Sequence, residues 1–196
     1  PESGKIRIGE SDLNAFTQQV WREHCGSVMQ EGFIFNDTIA QNIAIGDDHI
    51  DKAKLKHAVH VANIREFIEE LPLSYNTKIG AEGMGLSGGQ KQRILIARAV
   101  YKNPSFLFFD EATSSLDAHN EKIIMENLDD FFKGRTAVVI AHRLSTVKNA
   151  DQIVVLDKGR IIEKGTHHEL LAMRGSYFNL VRNQLDLEKI EQQQVN

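Results

Sequence analysis

Two acids, Asp110 and Glu111, follow the apolar run Phe106-Leu107-Phe108-Phe109. A run of that kind reads as a strand covered on both faces, with both carboxylates at its C-terminal tip. Ligands of open α/β sheets bind at such tips. An aspartate there can hold Mg²⁺, directly or through water, because Mg²⁺ takes one or two carboxylates together with substrate phosphates. An acid one residue further on can orient and deprotonate an attacking water, typically worth about 10²–10⁴ in rate. The competing reading is that the pair merely begins a loop or caps a helix. Leu86-Ser87-Gly88-Gly89-Gln90 favours the chemical one. A hydroxyl and two glycines opening onto a helix present unobstructed backbone N–H groups and the positive end of the helix dipole, which together make a phosphate site. A capping serine would account for that segment alone. It would not explain why one helix and one strand join it to the acidic pair.

The elements that must position these groups alternate along the chain. Lys5–Gly9 reads as a short strand, 14–24 as a weak helix, and Gly26–Gln30 as a strand running into a loop. From Asp37 to Leu71 the pattern is helical, with breaks near Gly46-Asp47-Asp48 and Ala62-Asn63 and a helix start at Asp51. A helix from the Ser87 loop to about Lys102 is stopped by Asn103-Pro104. Residues 121–132 form an amphipathic helix with Ile124, Leu128 and Phe131 inward. Thr136–Ala141 and Gln152–Leu156 read as buried strands, and Arg160–Glu163 pairs with the latter across Asp157-Lys158-Gly159. Helices over 167–173 and 176–187 close the chain. Strands alternating with helices predict an α/β fold with a mostly parallel sheet, carrying the 37–71 helices as an insert.

Composition narrows the function classes. The 196 residues hold 23 Lys+Arg and 27 Asp+Glu, a formal charge of −4, which lacks the basic excess of a general nucleic-acid binder. The single cysteine, Cys25, cannot form an intramolecular disulfide. No apolar run approaches the roughly 18 residues needed to cross a bilayer.

The motif order resembles an ABC-type ATPase domain. Ser87–Gln90, with Lys91-Gln92-Arg93 after it, match that family's signature loop, Asp110 its Walker B acid and Glu111 its catalytic base. Ser114–Asp117 match the D-loop, Gln30 after Val28-Met29 the Q-loop, and His142 in Ala141-His142-Arg143 the switch histidine. The segment Phe33–Ile43 resembles the part of ABC exporters that meets the coupling helices of the membrane domain, and Gly165–Leu170 their tail motif. The resemblance covers essentially the whole chain. It implies a P-loop NTPase core over about 1–30 and 104–196, with a helical subdomain over about 31–103. It also implies ATP between two such domains arranged head to tail, with Ser87, Gly88, Gly89 and Gln90 acting on the other domain's nucleotide. Asp110 would support Mg²⁺, with Gln30 through water, and Glu111, His142 and Gln30 would serve hydrolysis beside Asp117 of the D-loop. Among exporters, the stretch 21–43 is most similar to bacterial peptide and bacteriocin exporters. Peptide export, on the cytoplasmic face of a bacterial membrane, is therefore the expectation. A soluble ABC ATPase acting on DNA or in translation is the alternative; such proteins lack a segment like Phe33–Ile43.

The sequence departs from the family at two places. No G-x-x-x-x-G-K-[ST] stretch, the P-loop that wraps nucleotide phosphates, occurs in the 196 residues; Gly4-Lys5 is followed by Ile6. The expectation is a chain truncated at its N-terminus, lacking the P-loop and the strand before it, which alone neither binds nor hydrolyses ATP. Ala81 stands near where exporters often place a glutamate, and Glu82 is a substitute for it. Elsewhere, His57 and His60 lie three apart on a helix but lack a third ligand, and a solvated helix face is the simpler reading. His167-His168 begins a helix, Cys25 is a small apolar filler, and Trp21 packs in a core.

Overall fold

The computed structural model describes residues 3–141 and 143–184. His142, the expected switch histidine, and the last three residues of the expected 176–187 helix lie outside the described residues.

In chain order, β1 (Arg7–Ile8) pairs antiparallel with β2 (Ser11–Asp12), and a 3-10 turn follows at Leu13–Ala15. Helix α1 (Gln18–His24) starts where the Thr17 hydroxyl accepts from the Val20 N–H, so the expected 14–24 helix divides at this cap. β3 (Cys25–Val28) precedes the bend containing Gln30. β4 (Asp37–Thr38) leads into α2 (Ile39–Ile43), α3 (Lys52–Val61) and α4 (Arg65–Glu70). The continuous helical pattern of 37–71 is thus three short helices, the first two started by the Thr38 and Asp51 caps and the third without a side-chain cap. Asp51 caps α3, its Oδ1 accepting from Ala53 N at 2.8 Å and Lys54 N at 3.1 Å. β5 (Lys78–Ile79) pairs antiparallel with β4, a contact that periodicity in either segment does not announce.

Helix α5 (Gly88–Lys102) is framed as the sequence predicts. At its start the Ser87 side chain and Gln90 form a reciprocal capping box. At its end Asn103 takes a left-handed conformation (φ 52°) before Pro104. β6 (Phe106–Asp110) lies parallel to β3 with Val28 opposite Phe109, and the sheet order is β3-β6-β7, where β7 is Thr136–Ile140. Between β6 and β7, α6 (Ala118–Phe132) is capped by Asp117 and buries Ile124, Leu128 and Phe131. The chain then forms α7 (Leu144–Val147), the antiparallel hairpin β8 (Ile153–Asp157) with β9 (Arg160–Gly165), and α8 (His167–Met173). Residues 176–184 are helical.

The chain divides into two compact units, 1–138 and 139–196, with the boundary inside β7. The first is built around fully buried Ile39, Ile43, Ile64, Ile68, Ile79, Ile94, Ile96, Leu107, Ile124 and Leu128. The second has its own cluster of Ile153, Val155, Leu170, Tyr177 and Val181. Burial corrects one expectation. The strands are covered on one face only: Leu107 is 0% exposed, yet Phe108 is 37%, Val138 48%, Ile140 55% and Leu156 66% exposed. Phe108 and Leu156 fall on the face of the pleat opposite buried side chains, and Val138 and Ile140 opposite the half-buried Ala137 and Val139.

Candidate functional site

Parallel pairing of β3 and β6 brings two of the expected residues to one edge. Val28 is opposite Phe109, and Gln30 and Glu111 each follow that pair by two residues, at the C-terminal edge of the sheet. Asp110 is the last residue of β6 and is half-buried, while Gln30 is exposed. A carboxylate at a partly open strand end suits a hard cation such as Mg²⁺, which prefers oxygen donors. Among the described residues no group of three or more His, Cys, Asp or Glu could hold a metal alone, so part of the coordination shell would come from the substrate or water. His57 and His60 form no such group either; the His57 ring packs toward Phe131, 6.4 Å between centroids.

Glu111 has φ +48°, a left-handed conformation that a non-glycine residue adopts at a cost of about 1–3 kcal/mol. Its carbonyl is held from two sides, by Ser114 N–H at 3.0 Å and by Gln92 Nε2 at 3.3 Å. Gln92 is a buried polar residue of α5, only 3% exposed. The same Nε2 also donates to Ser114 Oγ at 3.2 Å, and Gln92 Oε1 accepts from Ser115 N at 2.9 Å. One amide therefore fixes the loop that follows the acidic pair against the helix that follows the signature loop.

The two loops also touch directly. A Cβ on Gly89 would lie 3.2 Å from the Ser115 carbonyl oxygen, and one on Gly88 3.4 Å from Ser115 Cβ. Gly89 is thus a position of close backbone approach. Ser87 and Gly88 remain exposed, with the Ser87 hydroxyl accepting from Gln90 N at 3.2 Å and Gln90 Oε1 accepting from Ser87 N at 2.9 Å. Asp117 accepts from Asn120 N at 2.9 Å and from Asn120 Nδ2 at 2.7 Å. These bonds, the backbone one foremost, hold its carboxyl below the ordinary carboxylate range. Asn120 in turn accepts from Asn63 Nδ2 at 2.9 Å, tying the D-loop cap to the end of α3.

The Phe33–Ile43 segment is hydrogen-bonded from beneath and exposes two aromatic rings beside Asn36, Asp37 and Gln41. Phe33 and Phe35 are 68% and 47% exposed and meet edge to face, 5.0 Å between centroids. Beneath them Asn42, fully buried, accepts from Phe35 N at 2.8 Å and donates to Phe35 O at 2.9 Å. Glu82 Oε2 accepts from Asn36 Nδ2 at 2.8 Å, so the glutamate beside Ala81 binds this same loop. Sequence reasoning located the acids, the glycines and the exposed loop. It did not single out Gln92, Asn42 or Arg98 as residues that fix them; the available signal was a polar residue within an otherwise buried helix face.

A family model described as ABC transporter matches residues 1–114. The ATP-dependent lipid A-core flippase of Saccharophagus degradans is 50% identical over 183 residues, 93% of this chain and 31% of that protein. The Toxin RTX-I translocation ATP-binding protein of Actinobacillus pleuropneumoniae is 51% identical over 172 residues, 88% of this chain and 24% of that protein. ATP-binding cassette sub-family B member 5 of Homo sapiens is 45% identical over 193 residues, 98% of this chain and 15% of that protein. Among solved structures, a bacterial Atm1-family ABC exporter with ATP bound superposes with a TM-score of 0.88 at 43% identity, over 93% of this chain and 32% of that one. The chain spans less than a third of the length of each of these proteins. With the signature loop, the acidic strand end and the exposed aromatic loop in the order and elements described, the chain belongs to the ABC transporter family, as an ATP-binding domain of the P-loop NTPase fold with exporter relatives.

Proposed function

We propose that this chain forms part of an ATP-hydrolysing domain that powers export of a peptide across a bacterial cytoplasmic membrane, working on its cytoplasmic face. The observation that carries the reading is the clamp of Gln92 across the Glu111–Ser115 loop, which makes the signature helix and the acidic strand end one rigid piece. ATP would lie between two such domains arranged head to tail. Exposed Ser87 and Gly88, with Gly89 and Gln90, would face the γ-phosphate held by the opposite domain, and Asp117 would stand at the same junction. Asp110 would hold Mg²⁺ with Gln30 through a water, and the cation would neutralise the phosphate charge that develops in phosphoryl transfer. Glu111 would take a proton from the attacking water, and His142 would contact the γ-phosphate. The P-loop would come from residues outside these 196, and the 196 residues alone would not bind Mg-ATP; titration calorimetry showing micromolar binding would overturn that part.

Residues 1–30 and 104–196 would make the NTPase core and 31–103 the helical subdomain. Exposed Phe33 and Phe35 would seat the membrane domain through the Phe33–Ile43 region. The toxin-translocating relative and the lipid A-core flippase are equally similar, at 51% and 50% identity, so the peptide cargo rests on the likeness of the 21–43 stretch to peptide exporters. The test is Glu111→Gln in the full-length protein, which should slow ATP turnover roughly 10²–10⁴-fold while ATP binding persists. Undiminished hydrolysis would remove Glu111 from the role of base. Stimulation of the unmutated protein's turnover by lipid A but not by peptide would reverse the cargo assignment.

A further inference from the structure

Arg98 stands on α5, two turns beyond Gln92, and is used by none of the chemistry above. Its guanidinium reaches across to the exposed aromatic loop. Nη1 donates to Phe33 O at 2.9 Å, Nε to Asn42 O at 2.8 Å and Nη2 to Asn42 Oδ1 at 3.3 Å. The guanidinium carbon lies 5.5 Å from the centre of the Phe35 ring. All of these acceptors are uncharged. Burial without a carboxylate lowers the Arg98 pKa, an arrangement that a purely stabilising ion pair would avoid. One turn earlier on the same helix face, Leu95 packs so closely on Gly32 that a Cβ there would overlap it.

Asn42 completes the knot. Besides Phe35 it donates to Asp37 O at 3.3 Å and Thr38 O at 3.1 Å. The loop under Phe33 and Phe35 is therefore pinned through its own carbonyls to one side chain of α2 and one of α5. A planar fork with fixed donor directions transmits orientation as well as attraction, which a lysine ammonium does not.

We propose that Arg98 is the positioning residue that makes the Phe33–Phe35 loop move as one body with the signature helix. A reorientation of α5 at the nucleotide would thereby be delivered to whatever seats on Phe33 and Phe35. The proposal rests on the reading of the chain as an exporter's ATP-binding domain.

The test uses the full-length protein in lipid nanodiscs, with Cys25 and any other native cysteine replaced. Spin labels are placed at Phe33→Cys and Lys102→Cys, the latter exposed at the far end of α5. The distance between them is measured without nucleotide and after trapping with Mg-ATP and vanadate. With Arg98 present the distribution should be narrow and the same in both states. In R98K and R98A it should broaden and shift on trapping, while ATP turnover per assembled protein keeps its parental value. A merely structural role would instead lower turnover and thermal midpoint together and leave the distribution narrow in the protein that assembles. A 33–102 distance that changes on trapping with Arg98 intact overturns the proposal without any variant having to fold. So does a distribution in R98A as narrow as the parent's. Failure of the Arg98-containing protein to hydrolyse ATP would instead sink the exporter reading, and is scored separately.

Discussion

At the scale of single residues, the site depends on amides and glycines as much as on acids. Gln92 satisfies a carbonyl, a hydroxyl and a backbone N–H of the Glu111–Ser115 loop from inside a helix otherwise lined by Ile94, Leu95 and Ile96. Gln92→Leu keeps the volume and deletes both polar ends, leaving part-buried partners without their bonds. It should cost about 1–3 kcal/mol of stability. Because Glu111 is held left-handed by that amide, turnover of the full-length protein should fall through kcat with little change in KM for ATP. Guanidinium unfolding and steady-state kinetics check the two halves, and a KM effect alone would contradict the argument. Gly89→Ala is a sharper probe of the neighbouring contact. Its methyl would press on the Ser115 carbonyl at 3.2 Å, so the two loops must part by a few tenths of an ångström.

At the scale of elements, three helices, α3, α6 and α8, have carboxylates in their N-terminal caps, which makes those ends acid-sensitive. Asp51 at the start of α3 accepts from the Lys54 and Ala53 backbone N–H groups, and these bonds hold its pKa below the ordinary value. Glu169 in the capping box of α8 is lowered in the same way by Thr166. A carboxyl whose folded pKa lies below its unfolded value adds stability above the unfolded value, about 3.9 for Asp, and loses it as pH falls through the folded one. Thermal midpoints should therefore drop on acidification below about pH 4. Asp51→Asn keeps the acceptor oxygen but cannot titrate, so its midpoint should drop less steeply than the parent's over that window. Parallel curves would show that the cap does not titrate as described.

These caps were the readily legible part of the fold, because each is decided by residues within one turn. Ser87 with Gln90, Asp51, and Asn103-Pro104 bound their helices within a residue or two of the positions read from sequence. The strand read over Lys5–Gly9 is β1, but its partner β2 and the pairing of β4 with β5 were not legible, since nothing within those two-residue segments marks them as strands. The apolar runs of β6 and β7 gave strand identity but overstated burial, because a run shows what could be covered and not what is. For the candidate site, residue types and spacing pointed to the acids and glycines, and the family resemblance to Gln30. Gln92, which holds the acidic loop, and Asn42 with Arg98, which hold the Phe33–Phe35 loop, became visible only once α5 was packed against loops far away in sequence.

At the scale of the whole molecule, the same chain contains a signature loop and an acidic strand end already packed together, and this raises the question of whose nucleotide the signature loop serves. Gly89 lies against the Ser115 carbonyl of its own chain, while Ser87 and Gly88 stay open to the outside. In the proposed head-to-tail pair, a signature loop open to the outside would act on the partner's nucleotide. That arrangement has a consequence no single-chain model shares. In the full-length protein with a second copy as partner, a chain carrying Gly89→Asp and a chain carrying Glu111→Gln should each be nearly inactive alone. Mixed in one dimer, the first supplies an intact acid and the second an intact signature loop, restoring one of the two sites. Random assembly makes about half of the dimers mixed, so co-expression should recover up to about a quarter of the parental turnover. Were the signature loop to serve its own chain's nucleotide, every site in the mixture would carry one defect, and the co-expressed protein would be no more active than either variant.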